Sequence, residues 1–443
     1  MIPHDQPLPA ATTGSTFARR RKAFCSRMSP DSVALFFSAP PQLKSNDVHY
    51  RYRQDSDFQY LTGLGEEECA LVLLPDREIL YLRERNPERE TWDGPRLGVE
   101  RAVDRLGVQE ARSIGAFDAE LEQWLKNRKR LYYRFGEDAP RDARMFAIAA
   151  RLLLRSRASD FGPASVEHPA GILHAMRLRK GTEEIEALRE CARITAAGHL
   201  AIMQAARPGA HEYELEAVLL REFHRQGATE AYPSIVASGP NACILHHIEN
   251  RRKMEPGDLV LVDAGAEKDF LNADVTRTFP VSGRYSTEQR AVYSIVLEAQ
   301  KAAIDASVAG SNMEKTHELA VRKLIEGLIA LNVLAGSVDE NHESGKYRDF
   351  YMHRTGHWLG HDVHDVGTYY LDGTPRPFED GMVLTVEPGL YFADRENVPA
   401  AFRGIGIRIE DDVVIQGTKP LVLTAAIPKE LDDIEAMLAR AKE

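Results

Sequence analysis

The 443-residue sequence contains little cysteine or tryptophan and no long apolar run. Its four cysteines, Cys25, Cys69, Cys191 and Cys243, show no C-x-x-C spacing, which argues against a disulfide framework and a zinc ribbon. No apolar run approaches the ~18 residues that a membrane-spanning helix requires, so we expect no membrane partner. A chain of this length can bury a large core without such cross-links. The sequence therefore predicts a soluble protein of two or three domains.

Positive charge is also scarce relative to negative charge. Lysine and arginine total 56 against 67 aspartates and glutamates, a net charge of −11, which disfavours a nucleic-acid partner. The motifs H-E-x-x-H, G-x-S-x-G and a complete G-x-G-x-x-G are absent, which argues against the catalytic classes that they mark. The basic residues 19–22 are not followed by the apolar stretch of a secretory signal, so we expect a cytoplasmic protein.

The first part of the chain alternates short apolar runs with helical patterns, which is typical of an α/β domain. A polar stretch with glycine and proline, residues 156–170, is interpreted as a linker, and we place the domain boundary near residue 175. The strands predicted in this part are Val33–Phe37, Ala70–Leu74, Ile79–Leu82 and Leu131–Tyr133, and the helices are 101–106, Ala119–Leu125 and Arg144–Leu154.

Capping signals predict three helices in the second part. Thr182 is predicted as an N-cap because two glutamates follow it. A second helix runs from about Tyr213 and is ended by Gly227. Ser286 and Gln289 predict a capping box at the start of a third helix.

Two acids lie at the ends of neighbouring strand-like segments. The apolar run LVLVD ends at Asp263, and a β-rich segment follows Asp274. If the two form an antiparallel hairpin with its turn between Lys268 and Asp269, Asp263 and Asp274 face each other with Cβ atoms roughly 5 Å apart.

The same pattern occurs a second time near the carboxyl terminus. Glu387 follows the apolar run VLTV and Glu410 follows GIRI, and a hairpin centred between Val398 and Pro399 places the two glutamates opposite each other. Like charges in an apolar setting are costly unless a cation compensates them. Four carboxylates that face one cavity would call for about two divalent cations.

Histidines are concentrated near these acids. Residues 353–364 contain four of the fifteen histidines, and His246 and His247 form another pair. Three glycines between residues 356 and 367 predict irregular backbone near a ligand. Oxygen-rich ligation with one imidazole suits Mn²⁺, with Zn²⁺, Co²⁺ and Fe²⁺ as competitors. Two such ions could share a water and make it a hydroxide, which is hydrolase chemistry.

In this order, the acids and the histidine resemble the site of the pita-bread metallopeptidases, and within them the Xaa-Pro aminopeptidases of the bacterial aminopeptidase P type. The similar segments are LVDAGAE, NADVTRTF, HRTGHWLGHDVHD, LTVEPGLY, GIRIEDD, CILHHIEN and the N-terminal YRYRQDSDFQYLTGL. The resemblance extends from about residue 15 to 430. It implies an α/β N-terminal domain of the creatinase/aminopeptidase P type, residues 1–175. An α+β pita-bread catalytic domain with a pseudo-twofold antiparallel sheet, residues 176–443, would follow.

The resemblance also implies a set of metal ligands, which are Asp263, Asp274, His357, Glu387 and Glu410. Asp274 and Glu410 would bridge two divalent ions, Mn²⁺ first with Zn²⁺ or Co²⁺ as alternatives. Glu387 would also hold a bridging hydroxide as general base.

Four further residues match the family's outer site. His246, His353 and His364 would line the proline side and stabilise the tetrahedral intermediate. Arg408, on the same strand face as Glu410, would orient the acids. His361 departs from the family pattern and is interpreted as neutral for catalysis, with an extra metal ligand as the alternative.

The implied reaction is hydrolysis of the bond between an N-terminal residue and a following proline in peptides. Members of the family commonly form dimers or tetramers, so we expect a homodimer or homotetramer, and Trp92 lies in a segment resembling the loop that reaches a neighbouring subunit. A tryptophan packed within its own chain is the alternative. The rival functions are a prolidase, in which Arg354 or Arg403 would grip the dipeptide carboxylate, and a non-enzymatic pita-bread binding module.

Overall fold

A computed structural model describes residues 14–154 and 159–440, and it divides the chain between Met176 and Arg177 into two compact units. The strands of the first unit are β1 (Ser32–Phe37), β2 (Leu43–Ser45), β3 (Val48–His49), β4 (Ala70–Leu73), β5 (Glu78–Leu82), β6 (Glu110–Ser113), β7 (Arg130–Tyr133) and β8 (Ser165–Glu167). Six of them form a mixed sheet of order β6-β5-β4-β1-β7-β8, whereas β2 and β3 pair only with each other. Its helices are α1 (Gly14–Cys25), α2 (Ser56–Thr62), α3 (Pro87–Asp93), α4 (Val99–Leu106), α5 (Ile114–Leu125) and α6 (Ala139–Leu153), and α7 (Ala170–Leu178) contains the division.

Strand β1 shows why this sheet is buried on both faces. Its neighbours are β4, which is antiparallel, and β7, which is parallel. Ala34 and Phe36 enter one apolar cluster, and Val33 and Leu35 enter another, because alternate side chains of a strand point to opposite faces. The four strands predicted in this part are confirmed, and the three predicted helices are found with earlier starts.

The predicted linker is partly wrong. Residues 165–167 form β8, which pairs in parallel with β7 at the edge of the sheet, whereas residues 155–158 lie outside the described part of the chain. A three-residue edge strand with a single apolar residue, Val166, has too little pattern to stand out from a polar stretch.

The second unit consists of long helices around antiparallel strands. Its helices are α8 (Thr182–Ala205), α9 (Glu212–His224), α10 (Thr287–Asp305), α11 (Met313–Ala330), α12 (Val338–Ser344) and α13 (Leu431–Arg440), with 3₁₀ turns at Gly239–Cys243 and Lys346–Asp349. Its strands are β9 (Thr229–Glu230), β10 (Ile235–Ser238), β11 (Leu259–Asp263), β12 (Ala266–Lys268), β13 (Leu271–Asn272), β14 (Thr276–Pro280), β15 (Tyr370–Leu371), β16 (Thr374–Pro375), β17 (Val383–Val386), β18 (Gly389–Phe392), β19 (Ile405–Arg408), β20 (Asp411–Val414) and β21 (Leu421–Val422). The ladders between these strands run antiparallel.

The helix predictions in this unit hold with one correction. Ser286 caps α10, accepting a hydrogen bond from the Gln289 backbone N–H, and the Gln289 side chain accepts one from the Ser286 N–H. The N-cap of α8 is Gly181 rather than Thr182. The Glu184 carboxylate accepts a hydrogen bond from the Gly181 N–H at 3.1 Å. A glutamate at the third helical position satisfies that donor without a capping hydroxyl.

The hairpin that carries Asp263 turns one residue later than predicted. Lys268 pairs with Leu271, so the two-residue turn consists of Asp269 and Phe270, with φ of 54° and 65°. Two left-handed residues suit a tight hairpin, but the turn lacks the glycine that marks such turns in a sequence. Among the described residues, none of the helices has the length and apolar run needed to cross a bilayer.

Candidate active site and metal centre

The first acid pair lies on one face of the β11–β14 hairpin. Asp263 pairs with Thr276, so the predicted direct opposition of Asp263 and Asp274 is wrong by two residues. A shift of two residues keeps a side chain on the same face of the sheet, so the two acids are diagonal neighbours. Gly265 permits the close approach behind them, because a Cβ there would lie 1.6 Å from the Ala273 carbonyl oxygen.

Tyr232 joins these two acids and was not predicted. Its hydroxyl lies within hydrogen-bond distance of both Asp263 Oδ1, at 2.6 Å, and Asp274 Oδ1, so the two carboxylates share its single proton as a donor. Burial, followed by the charges of the neighbouring acids, raises the pKa of Tyr232 well above its usual value, so the hydroxyl remains a donor. The sequence around Tyr232 contains no pattern that separates it from an ordinary buried tyrosine.

The second acid pair has the predicted register. Val386 pairs with Asp411 and Gly389 pairs with Arg408, and continuation of this register places Glu387 opposite Glu410. The confirmed pairing follows from two apolar strands of matched length on either side of a long polar loop.

A hydrogen-bond bridge brings the two hairpins together. The Glu410 N–H donates to the Thr276 carbonyl at 3.1 Å, and the Thr276 hydroxyl donates to the Glu410 carboxylate at 2.6 Å. The Asp274 N–H donates to the Asp412 carboxylate at 3.2 Å. Thr276 and Asp412 are further contributors that sequence reasoning missed, although Asp412 lies within the segment GIRIEDD.

His357 approaches this acid cluster from the irregular segment that the glycines predict. Gly356 lies against strand β17, where a Cβ would be 1.9 Å from the Thr385 carbonyl oxygen. The Nδ1 of His357 donates to the Trp358 carbonyl at 3.0 Å, which directs Nε2 toward Asp274 at 3.4 Å and Glu387 at 3.8 Å. A backbone acceptor on one ring nitrogen is the usual way to orient a metal-ligating imidazole.

The charges of the cluster are poorly compensated. Burial, reinforced by the neighbouring carboxylates, raises the pKa of Glu410 well above its usual value. Burial also raises the pKa of Asp263, although the Arg408 charge opposes the shift. Burial raises the pKa of Glu387 to about 7. Burial acts in the same direction on Asp274, but its hydrogen bond and charge interaction with His357 hold the pKa of this carboxyl below its usual value.

The donor set fits divalent cations. Ligand atoms of Asp274, His357 and Glu410 lie within 4.8 Å of one another, and Asp263 and Glu387 are joined to this group through Tyr232 and His357. Buried carboxylates that repel one another are stabilised when a cation neutralises them. The chemistry of carboxylate oxygens with one imidazole is that of a hard or borderline metal ion.

Arg408 contacts the cluster from the strand next to it. Its side chain is 4% exposed and its guanidinium donates to Asp263 at 2.5 Å, to the Thr276 hydroxyl at 3.0 Å and to the Tyr391 hydroxyl at 3.0 Å. A planar guanidinium held by three acceptors fixes the orientation of the Asp263 carboxylate.

The predicted outer histidines also lie near the cluster. His353 Nε2 is 2.8 Å from the Tyr391 hydroxyl, and its Nδ1 is 3.7 Å from Glu387. The centroids of the His364 and His357 rings are 4.2 Å apart. His246 is exposed, and its charge contributes, after burial and other neighbours, to the lowered pKa values of His353 and His364.

His361 has a different neighbour. Its Nδ1 lies 3.9 Å from the Glu184 carboxylate, and it does not belong to the group of candidate ligands found among the described residues. The structure therefore separates His361 from the other histidines of its segment.

Comparison with known proteins defines the class first. Residues 186–417 match the model of metallopeptidase family M24, and residues 17–132 match the aminopeptidase P N-terminal domain. The chain belongs to metallopeptidase family M24. The predicted fold class, an α/β N-terminal domain followed by an α+β pita-bread domain, is confirmed.

Individual relatives show which members of the family the chain is similar to. The chain is 44% identical to the Xaa-Pro aminopeptidase of Haemophilus influenzae over 95% of this chain and 96% of the relative. It is similar to the structure of Pseudomonas aeruginosa aminopeptidase PepP, with a TM-score of 0.95 and 44% identity over the full length of both chains. It is also similar to Zn-substituted Escherichia coli aminopeptidase P in complex with product, with a TM-score of 0.94 and 42% identity over 98% of this chain and 99% of that one.

Proposed function

We propose that this protein is a metal-dependent Xaa-Pro aminopeptidase, which hydrolyses the bond between an N-terminal residue and a following proline. The observation that carries the proposal is the convergence of two acid-bearing hairpins and His357 on one buried cluster. We assign residues 1–175 to the N-terminal domain and 176–443 to the catalytic domain.

The residues that would hold the metal are Asp263, Asp274, His357, Glu387 and Glu410. We propose two divalent cations, Mn²⁺ first with Zn²⁺ or Co²⁺ as alternatives. When bound, such ions supply Lewis acidity and lower the pKa of water. The Zn-substituted relative supports a metal at the corresponding site of that protein.

Glu387 has the geometry of a proton carrier. One carboxylate oxygen is 3.8 Å from His357 and the other is 3.7 Å from His353, so Glu387 lies between the inner and the outer histidines. We propose that it accepts the proton of the attacking water and returns it to the departing proline nitrogen, which has no hydrogen of its own while in the peptide bond.

Three histidines would stabilise the developing oxyanion and line the proline side, namely His246, His353 and His364. Burial, followed by neighbouring charges, lowers the pKa of His353 to about 3, so its ring is neutral near pH 7. Its single N–H, at Nδ1, donates to the Arg354 carbonyl at 2.8 Å, and Nε2 accepts from the Tyr391 hydroxyl at 2.8 Å. Arg408 would keep the Asp263 carboxylate in its binding orientation. The substrate's free α-amino group would pair with the acidic cluster, which limits cleavage to the first residue.

The rival prolidase function needs a cation for the carboxylate of a dipeptide. The Arg354 guanidinium forms an ion pair with Glu314, whose carboxylate also accepts from the Tyr370 hydroxyl at 2.6 Å. Arg403 donates to the carbonyls of Val398 and Glu396 in its own loop. Both candidate arginines therefore already have partners within the chain.

Partners and location follow the same proposal. The substrates are peptides with proline at the second position, and we propose a cytoplasmic homodimer or homotetramer without nucleic-acid or membrane partners. Trp92 is 88% exposed, which supports a contact with a second copy rather than packing within its own chain.

The test uses metal-stripped protein with and without Mn²⁺. Release of alanine is followed from Ala-Pro-Ala and from Ala-Pro. We expect metal-dependent cleavage of the tripeptide. Cleavage of the dipeptide alone would favour the prolidase, and no cleavage with Mn²⁺, Zn²⁺ or Co²⁺ would favour a non-enzymatic binding module.

A further inference from the structure

Glu212 is a fully buried carboxylate that the proposed mechanism does not use. It is the first residue of α9 and is 0% exposed. Its Oε1 accepts from the Ser238 N–H and hydroxyl, both at 2.7 Å, and from the Asn241 amide at 3.1 Å. Its Oε2 accepts from His247 Nε2 at 3.1 Å and from the Arg252 N–H at 2.9 Å.

These hydrogen bonds keep the carboxylate ionised. Burial acts to raise the pKa of Glu212, but the bonds from Ser238, Arg252 and His247 hold it below its usual value. An ionised carboxylate accepts from the donors on both of its oxygens, whereas an amide in its place would present a donor to one group of them.

The partners of Glu212 span one loop, residues 238–252. Ser238 ends strand β10, Asn241 lies in the 3₁₀ turn, and Arg252 lies at the far end of the loop. Asn250 adds a second attachment, because its side chain accepts from the Val236 N–H at 3.0 Å and donates to the Ser234 carbonyl at 2.8 Å. The loop is therefore attached to strand β10 and helix α9 rather than free.

The loop carries His246, the exposed histidine assigned above to the oxyanion. An exposed side chain is held mainly through its backbone, and the neighbouring residue, His247, is the one that Glu212 binds. Donation from His247 Nε2 to a carboxylate also selects one tautomer and one orientation of that ring.

We propose that Glu212 is a positioning residue for His246 and acts through His247. This inference rests on the proposed function. The Glu212 carboxylate binds both ends of the loop and the His247 ring, and it thereby holds His246 in position to contact the substrate. Loss of its charge loosens the loop and lowers turnover without removing a group that touches the substrate.

The test is a double-mutant cycle with Glu212→Gln and His246→Ala, measured as kcat and KM for Ala-Pro-Ala with Mn²⁺ present. We expect His246→Ala to lower kcat/KM about 100-fold, as for loss of one oxyanion donor. We expect Glu212→Gln alone to lower kcat/KM about tenfold, because residues of one hydrogen-bond network typically couple by that amount. In the His246→Ala background, Glu212→Gln should cost less than about twofold.

A purely structural role predicts a different result. In that case Glu212→Gln lowers kcat/KM by the same factor in both backgrounds, and the proposal is overturned. The matched control is Glu78→Gln, which weakens a buried ion pair with Arg21 in the first unit. Any decrease in kcat/KM that Glu78→Gln causes should be the same with and without His246.

A second pair of variants applies if Glu212→Gln fails to fold. His247→Ala removes a single donor to Glu212, and His247→Gln retains an amide donor. We expect the alanine variant to reproduce the loss and the glutamine variant to recover most of it. Equal losses in the two would overturn the proposal. A wild type that cleaves no peptide would refute the proposed function and this inference together. If the wild type is active but Glu212→Gln lowers kcat/KM by the same factor with and without His246, this inference alone is refuted.

Discussion

Asp263 and Asp274 share one neutral donor, the Tyr232 hydroxyl, whereas Arg408 contacts Asp263 from the opposite hairpin. At the scale of residues, the site is thus a set of carboxylates whose orientations are fixed by hydrogen bonds from neighbouring side chains. Asp263, Asp274 and Glu410 are each held by a donor outside the proposed set of metal ligands, namely Tyr232, Arg408 or Thr276. Such outer donors commonly change metal affinity by about 10–100-fold when they are removed.

Tyr232→Phe tests this arrangement. It removes the hydroxyl shared by Asp263 and Asp274 and leaves the ring. We expect the affinity for Mn²⁺, measured by titration calorimetry, to fall about tenfold because two carboxylates lose the donor that orients them. The matched control is Tyr285→Phe, which removes a buried hydroxyl bonded to the Thr278 carbonyl at 2.9 Å. Equal Mn²⁺ affinities in the two variants would contradict the prediction.

At the scale of elements, the site depends on close approaches between backbones. The Asp263 hairpin crosses its own return strand at Gly265, and the His357 segment lies against β17 at Gly356. A side chain at either position would meet a carbonyl oxygen, which cannot rotate away as a flexible side chain can. These glycines set the separation of the elements that carry the proposed ligands.

Gly265→Ala should therefore disturb the hairpin and the metal site together. Its Cβ would lie 1.6 Å from the Ala273 carbonyl oxygen, so the strands must separate. We expect a loss of about 2 kcal/mol or more in the free energy of unfolding, together with weaker Mn²⁺ binding. Gly65→Ala is the matched control, because no atom lies within 4 Å of its Cβ. Its free energy of unfolding should change by less than about 0.5 kcal/mol, and a similar loss in both variants would count against the close approach.

At the scale of the whole molecule, stability is linked to protons and metal through the acidic cluster. Without metal, burial raises the pKa of Glu387 to about 7, so between about pH 4.5 and 7 the folded chain holds a proton that the unfolded chain has released. Burial lowers the pKa of His357, but the hydrogen bond with Asp274 outweighs it and raises the value to about 9. Both effects make the metal-free protein less stable as pH rises through these ranges.

Metal should reverse this trend, since a cation binds only after the protons leave Glu387 and His357. We expect the rise in Tm on adding Mn²⁺ to be larger at pH 7.5 than at pH 5.5, as measured by calorimetry of metal-free and Mn²⁺-loaded protein. Histidines outside the ligand set titrate in both forms and largely cancel in this difference. In Glu387→Gln the dependence on pH should be weaker, and a rise in Tm that is independent of pH would contradict the linkage.

Much of the fold and the site could be predicted because the signals are local. The apolar strands that end at or just before Asp263, Glu387 and Glu410 are visible as short runs, and the Ser286 capping box needs only four residues. The register of the second hairpin is also a local result, since matched apolar strands surround one polar loop. In contrast, the Asp269–Phe270 turn has no glycine to mark it, so the predicted turn lies one residue too early and the predicted pairing of Asp263 is wrong by two residues.

The sequence by itself determined which acids and histidines this protein offers, their order, and the strand ends that present them, because hydrophobic period and turn chemistry act over a few residues. Only the tertiary structure decided their partners. Arg408 meets Asp263 across 145 residues, and Tyr232 meets Asp274 across 42. Glu212 meets His247 across 35. Such contacts depend on how whole elements pack, and packing rewards any complementary pair that the fold brings together, so no short stretch of sequence encodes them.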